Sequence, residues 1–275
     1  MKGFIITVAI IALTASVLTR MFDITGIFPF LDGFGWYRYE NADKYTAGEA
    51  EIGERVNTLD VDWITGSVNV EFHDKDTILI KERSNSNISG DMQLRWRINN
   101  GVLTVKYAKS GANMPIGMNK QLTITLPRDA QPENADIDTT TGTVTINGGR
   151  WKKIDADTTT GAVNITAESV DDLDADIISG DISVNTAVSG RIDLDCTTGE
   201  INITAGEFAD IDASSISGSV TADIPEGCGF TADLSVTTGK VKCGHEHTEN
   251  GSEYVAGDGS RRIDISTTTG NIEIK

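Results

Sequence analysis

Aspartate recurs in this chain at a fixed distance before a repeated glycine, so the chemistry that the sequence offers first is that of closely spaced carboxylates. An aspartate stands six residues before each of eight such glycines, and a second stands four residues before five of them. Stacked strands lie about 4.8 Å apart, and like charges at that spacing repel by about 1 kcal/mol even in water. The weak metal-ligand candidates on this basis are Asp136, Asp138, Asp155, Asp157, Asp174, Asp176, Asp193 and Asp195.

Three interpretations of these aspartate columns remain open. Carboxylate oxygens are hard ligands that suit Ca²⁺, which would lie between neighbouring aspartates. A basic partner, such as a cationic peptide or an amino-sugar polymer, would also neutralise the columns. The simplest interpretation is a solvated face whose charge discourages edge-to-edge association. No other cofactor is predicted.

Catalysis is not expected, because the columns lack a clustered base. Lys152, Lys153 and Arg191 are predicted to lie on corners, away from the aspartates. His245 and His247 fall in an irregular stretch, and their spacing is too short for a helical metal motif. A carbohydrate-active enzyme on the same scaffold is therefore the less favoured alternative.

The repeated glycines also reveal the elements that must carry the aspartates. Gly142, Gly161, Gly180, Gly199 and Gly218 follow one another at intervals of 19 residues. Apolar residues stand seven and five positions before each glycine and two and four positions after it, and the positions between them are polar. A period of two indicates strands with one buried face. Each repeat therefore holds two short strands, and stacking the repeats in parallel predicts an all-β solenoid (β-helix), right-handed by the usual crossover preference.

Further copies of the glycine corner at Gly66, Gly239 and Gly270 extend the predicted solenoid over residues 57–275. Two segments break the repeat: residues 84–120, which are predicted to form a hairpin and a loop, and the loop 244–259. The solenoid is predicted to end, uncapped, at Ile274 and Lys275. Because open sheet edges invite pairing, end-to-end self-association is a possible property of the chain.

The N-terminal residues predict a connection to a membrane. Residues 4–18 are uncharged and apolar, so residues 1–22 are either a single transmembrane helix or a cleaved signal peptide. Lys2 precedes this segment, which favours a cytoplasmic N-terminus and an extracytoplasmic domain. The expected location is the cell membrane, with secretion after cleavage as the alternative. Residues 23–56 are predicted to be a juxtamembrane linker, whose Trp36, Tyr37 and Tyr39 either lie at the membrane interface or cap the first coil.

The acidic composition of the chain restricts the classes of partner that it can bind. The 275 residues include 41 acidic and 23 basic side chains, which gives a formal charge of −18. Such a surface argues against binding to nucleic acid, which requires basic patches. The three cysteines are too few for a disulfide scaffold.

The glycine-aligned pattern x-[IL]-D-[AVL]-[DS]-x-[TI]-[TS]-G-x-[VI]-x-[VI], over roughly residues 57–275, resembles the bacterial putative-adhesin domain family. The resemblance implies a β-helical domain of unknown function in the cell envelope, often anchored in the membrane, without a catalytic motif. The expected function is that of a membrane-anchored binding, adhesion-like or scaffolding module for a cell-envelope protein or polymer. A self-assembling structural protein is the alternative.

Overall fold

The computed structural model describes residues 37–88 and 90–275, and it confirms an all-β chain. The candidate anchor, residues 1–22, lies outside the described residues, and within them no helix has the length and apolarity that crossing a bilayer requires. The strands described are β1 Thr46–Ala47, β2 Ala50–Ile52, β3 Thr58–Thr65, β4 Val68–His73, β5 Ile78–Ser84, β6 Arg95–Asn99, β7 Val102–Lys106, β8 Lys120–Pro127, β9 Asn134–Asn147, β10 Arg150–Thr198, β11 Ile201–Glu207, β12 Asp210–Ser217, β13 Val220–Asp223, β14 Phe230–Thr238, β15 Val241–Cys243, β16 Thr248–Asn250, β17 Glu253–Ala256, β18 Arg261–Thr269 and β19 Ile272–Ile274. Short 3-10 helices occur at Ala42–Lys44, Gly90–Met92 and Arg128–Ala130.

Alternation along each strand determines which side chains form the core. Ile192, Leu194, Ile201 and Ile203 are at most 1% exposed, whereas Asn202 between the last two is exposed. Complete burial of such a side chain contributes about 1.5 to 3 kcal/mol. The inward positions predicted from the sequence are thereby confirmed in the regular coils, whereas Val241 and Cys243 are only partly buried.

The chain divides into two compact units, one ending at Thr145 and the other comprising Ile146–Lys275. In the second unit, successive 19-residue coils stack in parallel and in exact register. Ile182 pairs with Ile201 and Ile192 pairs with Ile211, each 19 residues further along the chain. This register confirms the solenoid arrangement within the unit.

The corner glycine of each coil is required mainly by the close approach of the next coil. A Cβ atom at Gly199 would lie 1.9 Å from the carbonyl oxygen of Gly180, and one at Gly218 would lie 1.7 Å from that of Gly199. Gly180 and Gly199 also adopt positive φ angles of 137° and 145°. No side chain can be accommodated at these contacts, which explains why the glycine recurs at these corners.

The spatial order of the last coils differs from their order along the chain. β18 pairs in parallel with β12 on one edge and with β14 on the other, and β19 lies likewise between β13 and β15. The C-terminal coil, formed by β18 and β19, is therefore inserted between the Gly218 coil, formed by β12 and β13, and the Gly239 coil, formed by β14 and β15. The expectation that the solenoid ends uncapped at Ile274 and Lys275 is wrong, since both edges of this coil are already paired.

The segment between β15 and β18 also covers part of the edge of the Gly239 coil. After β15 the chain forms an antiparallel hairpin from β16 and β17, and β17 pairs with the first half of β14. The predicted loop 244–259 thus contains two strands. The long insertion lets the chain pass the Gly239 coil and return to fill the gap beside the Gly218 coil.

The first unit has a similar rearrangement. β3 lies between β7 and β9, and β4 pairs in parallel with β8. The predicted hairpin is confirmed as β6 and β7, but β7 and β8 also form a coil of the stack, so residues 84–120 are only partly an insertion. β1 pairs with β6 and β2 with β5, so part of the expected linker 23–56 is folded into this unit.

Lys120 takes the place of a corner glycine in the coil formed by β7 and β8. Its Nζ donates to the carbonyl oxygen of Met92 at 2.8 Å and lies 2.6 Å from Oε2 of Glu82. The ammonium group also lies 5.0 Å from the ring centroid of Trp63 and 4.4 Å from that of Tyr107. Burial lowers the pKa of Lys120, whereas the hydrogen bond to Glu82 raises it.

Candidate ligand-binding face

The outer side of the second unit carries a continuous row of carboxylates, of which Asp174 is largely covered, at 8% exposure. Residues of the row that lie beside one another are paired in register: Asp193 with Asp212, Asp212 with Asp264, and Asp264 with Asp233. Glu253 of β17 extends the row beyond Asp233. We call this row the carboxylate face; in spatial order it comprises Asp155, Asp174, Asp193, Asp212, Asp264, Asp233 and Glu253.

Basic side chains interrupt the negative charge at alternate coils. The position two residues before the row holds Lys153, Asp172, Arg191, Asp210 and Arg262 in successive coils. Lys153 pairs with Asp155 at 2.7 Å, and Arg262 pairs with Asp264 at 3.2 Å. Arg191 pairs with both Asp172 and Asp193. The expectation that Lys153 and Arg191 lie away from the aspartates is therefore wrong, and these pairs offset part of the repulsion.

A second column lies two residues after the row and ends halfway along the unit. It contains Asp157, Asp176 and Asp195, followed by Ser214, Ser266 and Ser235 in successive coils. Asp157 and Asp176 are 8% and 5% exposed, and the backbone nitrogen of Asp176 donates to Oδ1 of Asp157 at 3.2 Å. The alternation predicted two outward columns, but it did not predict that one of them would be so well covered.

Two aspartates have strongly raised pKa values. Burial, reinforced by the charges of Asp176, Asp193 and Asp212, raises the pKa of Asp195 to about 8. Burial and the charges of Asp193 and Asp264 raise the pKa of Asp212 to about 6. The charged forms of these two groups are therefore disfavoured in the folded protein.

The remaining candidates, Asp136 and Asp138, lie in the first unit on β9, beside Asp60 and Asp62 of β3. Thr104 donates to Oδ2 of Asp60 at 3.0 Å, and Lys106 forms an ion pair with Asp62. Burial lowers the pKa of Lys106, while Asp60, Asp138 and Asp136 raise it. A neighbouring strand thus supplies a base here as well.

The geometry gives no direct support to a metal centre. Across residues 37–88 and 90–275, no three aspartate, glutamate, histidine or cysteine side chains are grouped so that they could hold an ion. His247 lies 2.7 Å from the carbonyl oxygen of His245, and its ring packs against Tyr254. Both histidines belong to the packing of the loop before β16.

A pocket of about 470 Å³ lies where the carboxylate face meets the β16–β17 hairpin. Its charged lining comprises Asp210, Asp233, Glu253, Asp264, Arg261 and Arg262. Asp233 and Glu253 are direct partners on neighbouring strands. Neither carboxylate has a side-chain hydrogen bond or an ion pair to any residue that the structure describes.

Both arginines of this pocket are already engaged. Arg262 pairs with Asp264, and Nε of Arg261 donates to the carbonyl oxygen of Phe208 at 3.2 Å. The pocket was not predicted from the sequence, because it depends on β18 lying beside β14. The length of the insertion between β15 and β18 was the one available signal that the chain departs from simple stacking.

The family profile described as Toastrack DUF4097 matches residues 53–275. The chain belongs to this family. The resemblance to the bacterial putative-adhesin domain family is thereby confirmed. The Toastrack match covers most of both units, including the carboxylate face, the pocket and the C-terminal coil.

Distant likenesses to solved structures accompany this assignment. A putative cell adhesion protein from Clostridium sporogenes is 16% identical with a TM-score of 0.38, over 84% of this chain and 99% of its own. Putative adhesins from Bacteroides fragilis and Parabacteroides distasonis are each 12% identical, over 84% of this chain and 97% of theirs, with TM-scores of 0.40 and 0.41. No curated protein matches the chain.

Proposed function

We propose that this chain is a non-catalytic binding module of the bacterial cell envelope, which residues 1–22 anchor in the membrane and whose ligand is a cationic peptide or an amino-sugar polymer. The observation that carries the proposal is the pair of unpartnered carboxylates, Asp233 and Glu253, in an open pocket at the end of the carboxylate face.

Charge in this pocket favours a cation. Four carboxylates and two guanidinium groups line it, and both guanidinium groups are held by other residues. An ammonium group placed between Asp233 and Glu253 would supply the charge that Lys153, Arg191 and Arg262 supply elsewhere on the face. The rest of the carboxylate face would attract a polycation over a longer distance and guide it to the pocket.

A polymer suits the site better than a single ion. The carboxylates continue from Glu253 along the stack at intervals of about 5 Å, so a chain with repeated amines can contact several coils. Its binding should weaken with salt, because contacts at an exposed surface are screened. This arrangement is the basis for choosing a peptide or an amino sugar over Ca²⁺.

The test is calorimetric titration of the full chain with a short oligolysine and with a chitosan oligomer. The double variant Asp233→Asn/Glu253→Gln should weaken binding at least tenfold, which corresponds to about 1.4 kcal/mol. Asp76→Asn, in an exposed turn of the first unit, is the matched control and should bind normally. If the double variant binds as tightly as the Asp76→Asn control, the pocket is not the binding site.

Calcium provides the competing result. The Ca²⁺ hypothesis stays open, and it predicts saturable binding of Ca²⁺ and a melting temperature that rises more in millimolar Ca²⁺ than in NaCl of equal ionic strength. Equal increases in the two salts would indicate screening alone.

The pocket also defines the catalytic alternative. It mixes acids and bases, and paired carboxylates are the groups that glycosidases use. Release of shorter oligomers from the chitosan probe would contradict the non-catalytic proposal and favour a carbohydrate-active enzyme.

End-to-end self-assembly stays the alternative. Because the C-terminal coil is paired on both edges, it would have to use the coil formed by β14 and β15, in which β15 pairs with β19 on its inner edge. The proposed location is the outer face of the cytoplasmic membrane. Retention in membranes after a high-salt wash, together with an intact N-terminus, is the expected result; an N-terminus beginning beyond Leu18 would indicate a secreted protein instead.

A further inference from the structure

The loop between β7 and β8, residues 107–119, presents an apolar tip that the fold does not use. Ile116 is 106% exposed, and the other exposed large hydrophobic residue of the described chain, Val188, is 45% exposed. Pro115 and Gly117 on either side of Ile116 are also exposed. Scattered apolar residues are normal on protein surfaces, so the significance of Ile116 depends on how the loop holds it and where the loop lies.

The tip is a well-defined turn. The nitrogen of Met118 donates to the carbonyl oxygen of Pro115 at 3.3 Å, and Gly117 has a φ of 77°. A glycine with positive φ at the third position is typical of a type II turn, in which Ile116 occupies the corner. The backbone thus directs the Ile116 side chain away from the domain.

Both sides of the turn are fixed to the domain. The side chain of Asn85 donates to the carbonyl oxygen of Gly117 at 3.1 Å and accepts from the nitrogen of Asn119 at 3.0 Å. Met118 is buried, and its carbonyl oxygen accepts from the hydroxyl of Thr65 at 2.6 Å. Ile116 is therefore displayed on a supported turn.

The base of this loop is the place where the described chain begins. The nitrogen of Gly111 donates to the carbonyl oxygen of Tyr37, and the nitrogen of Tyr107 donates to the Tyr37 hydroxyl at 3.1 Å. The hydroxyl of Tyr39 donates to the carbonyl oxygen of Ala108 at 3.0 Å. Tyr37 and Tyr39 thus cap the domain, as one of the two sequence-based interpretations predicted, whereas Trp36 lies outside the described residues.

These contacts connect the loop to the N-terminal segment. Thirty-six residues precede Tyr37, and residues 23–36 that follow the candidate anchor include Ile24, Ile27, Phe28, Phe30 and Leu31. Transfer of such apolar side chains out of water is favourable. The loop base is consequently tied to the part of the chain that lies nearest the bilayer in the proposed topology.

We propose that the tip of this loop, Pro115–Ile116–Gly117, inserts into the outer leaflet and forms a second contact with the membrane, which orients the first unit. The inference rests on the proposed anchor. Arg38 and Glu40 beside the loop base carry opposite charges and are both exposed. The contact is therefore apolar and should depend little on salt or on anionic lipid.

The test uses the full chain in liposomes of zwitterionic lipid, with an environment-sensitive fluorescent amino acid at position 116 or, as the matched control, at position 188. Lipid brominated on its acyl chains should quench the probe at 116 and shift its emission to the blue, in low and in high salt. The probe at 188 should show the aqueous spectrum. A purified chain in liposomes has only lipid to contact, so quenching by the bromines identifies the lipid directly.

Two results would overturn the inference. If the chain stays with the liposomes but the probe at 116 is not quenched, the loop is aqueous and the anchor proposal stands. If the chain does not stay with the liposomes, both proposals fail. Ile116→Ser should leave the melting temperature unchanged, and a loss of stability would instead show that Ile116 serves the fold.

Discussion

Replacement of Asp195 by asparagine should stabilise the protein at alkaline pH but not at acidic pH. Asp195 has its pKa raised from 3.8 to about 8 by burial and by three neighbouring aspartates. A raised folded pKa means that the unfolded chain releases this proton first as pH increases. The free energy of unfolding therefore falls between about pH 4 and pH 8, and it is constant outside that window as far as this group is concerned.

The shift of about four units corresponds to about 5 kcal/mol at pH 9. Asparagine keeps the shape and a hydrogen-bonding group of the side chain but carries no charge. The variant should therefore melt at least about 10 °C above the parent protein at pH 9, given about 2 to 4 °C per kcal/mol for a chain of this size. At pH 4 the two proteins should melt together. Asp212, with a pKa of about 6, should behave in the same way over a narrower window.

The assay is thermal unfolding by circular dichroism at pH 4, 7 and 9 and at constant ionic strength. Asp76→Asn controls for the removal of one negative charge from an exposed position. A gain in melting temperature for Asp195→Asn that is the same at all three pH values would refute the reasoning, because the effect would then come from packing and not from ionisation.

Three further predictions concern the fold. Ile203→Asp places an unpaired charge at a position that is 1% exposed and should cost about 4 kcal/mol or more, whereas Asn202→Asp on the same strand should cost little in urea unfolding. Gly199→Ala should lower stability by about 3 kcal/mol through its clash with the Gly180 carbonyl, and Gly53→Ala, which has no atom within 4 Å of its added Cβ, should be tolerated. Removal of Arg261–Lys275 should abolish cooperative melting of the second unit, since it takes a coil from between two others; retention of a parent-like transition would show that the coil order is wrong.

Periodicity was sufficient to predict the strands, the buried positions and the register of the regular coils. Alternation at period two requires an inward and an outward face, and a constant interval of 19 residues requires equivalent positions to lie above one another. The pairing of Ile192 with Ile211 follows from those two facts alone. The outward columns of aspartates were predicted on the same basis.

Spatial order could not be predicted, because periodicity gives a coil its register but not its neighbour. The Gly270 coil has the same pattern as the Gly239 coil, so either could stack on the Gly218 coil. For the same reason, sequence reasoning did not place Glu253 beside Asp233, or Lys106 beside Asp62. The predicted position of Lys153 and Arg191 was wrong because these residues were assigned to corners. Each lies on a strand, two residues before the aspartate with which it pairs.

The order of the coils makes the proposed binding pocket depend on the last residues of the chain. Arg261, Arg262 and Asp264 come from the C-terminal coil, whereas Asp210, Asp233 and Glu253 come from three earlier strands. Asp210 and Asp233 stand two coils apart, and only β18 between them holds both at the spacing of a continuous sheet. The β16–β17 hairpin is likewise connected directly to the strand that must be inserted. The pocket therefore exists only after the final fifteen residues have entered the stack, so ligand binding is a more sensitive measure of complete folding than strand content.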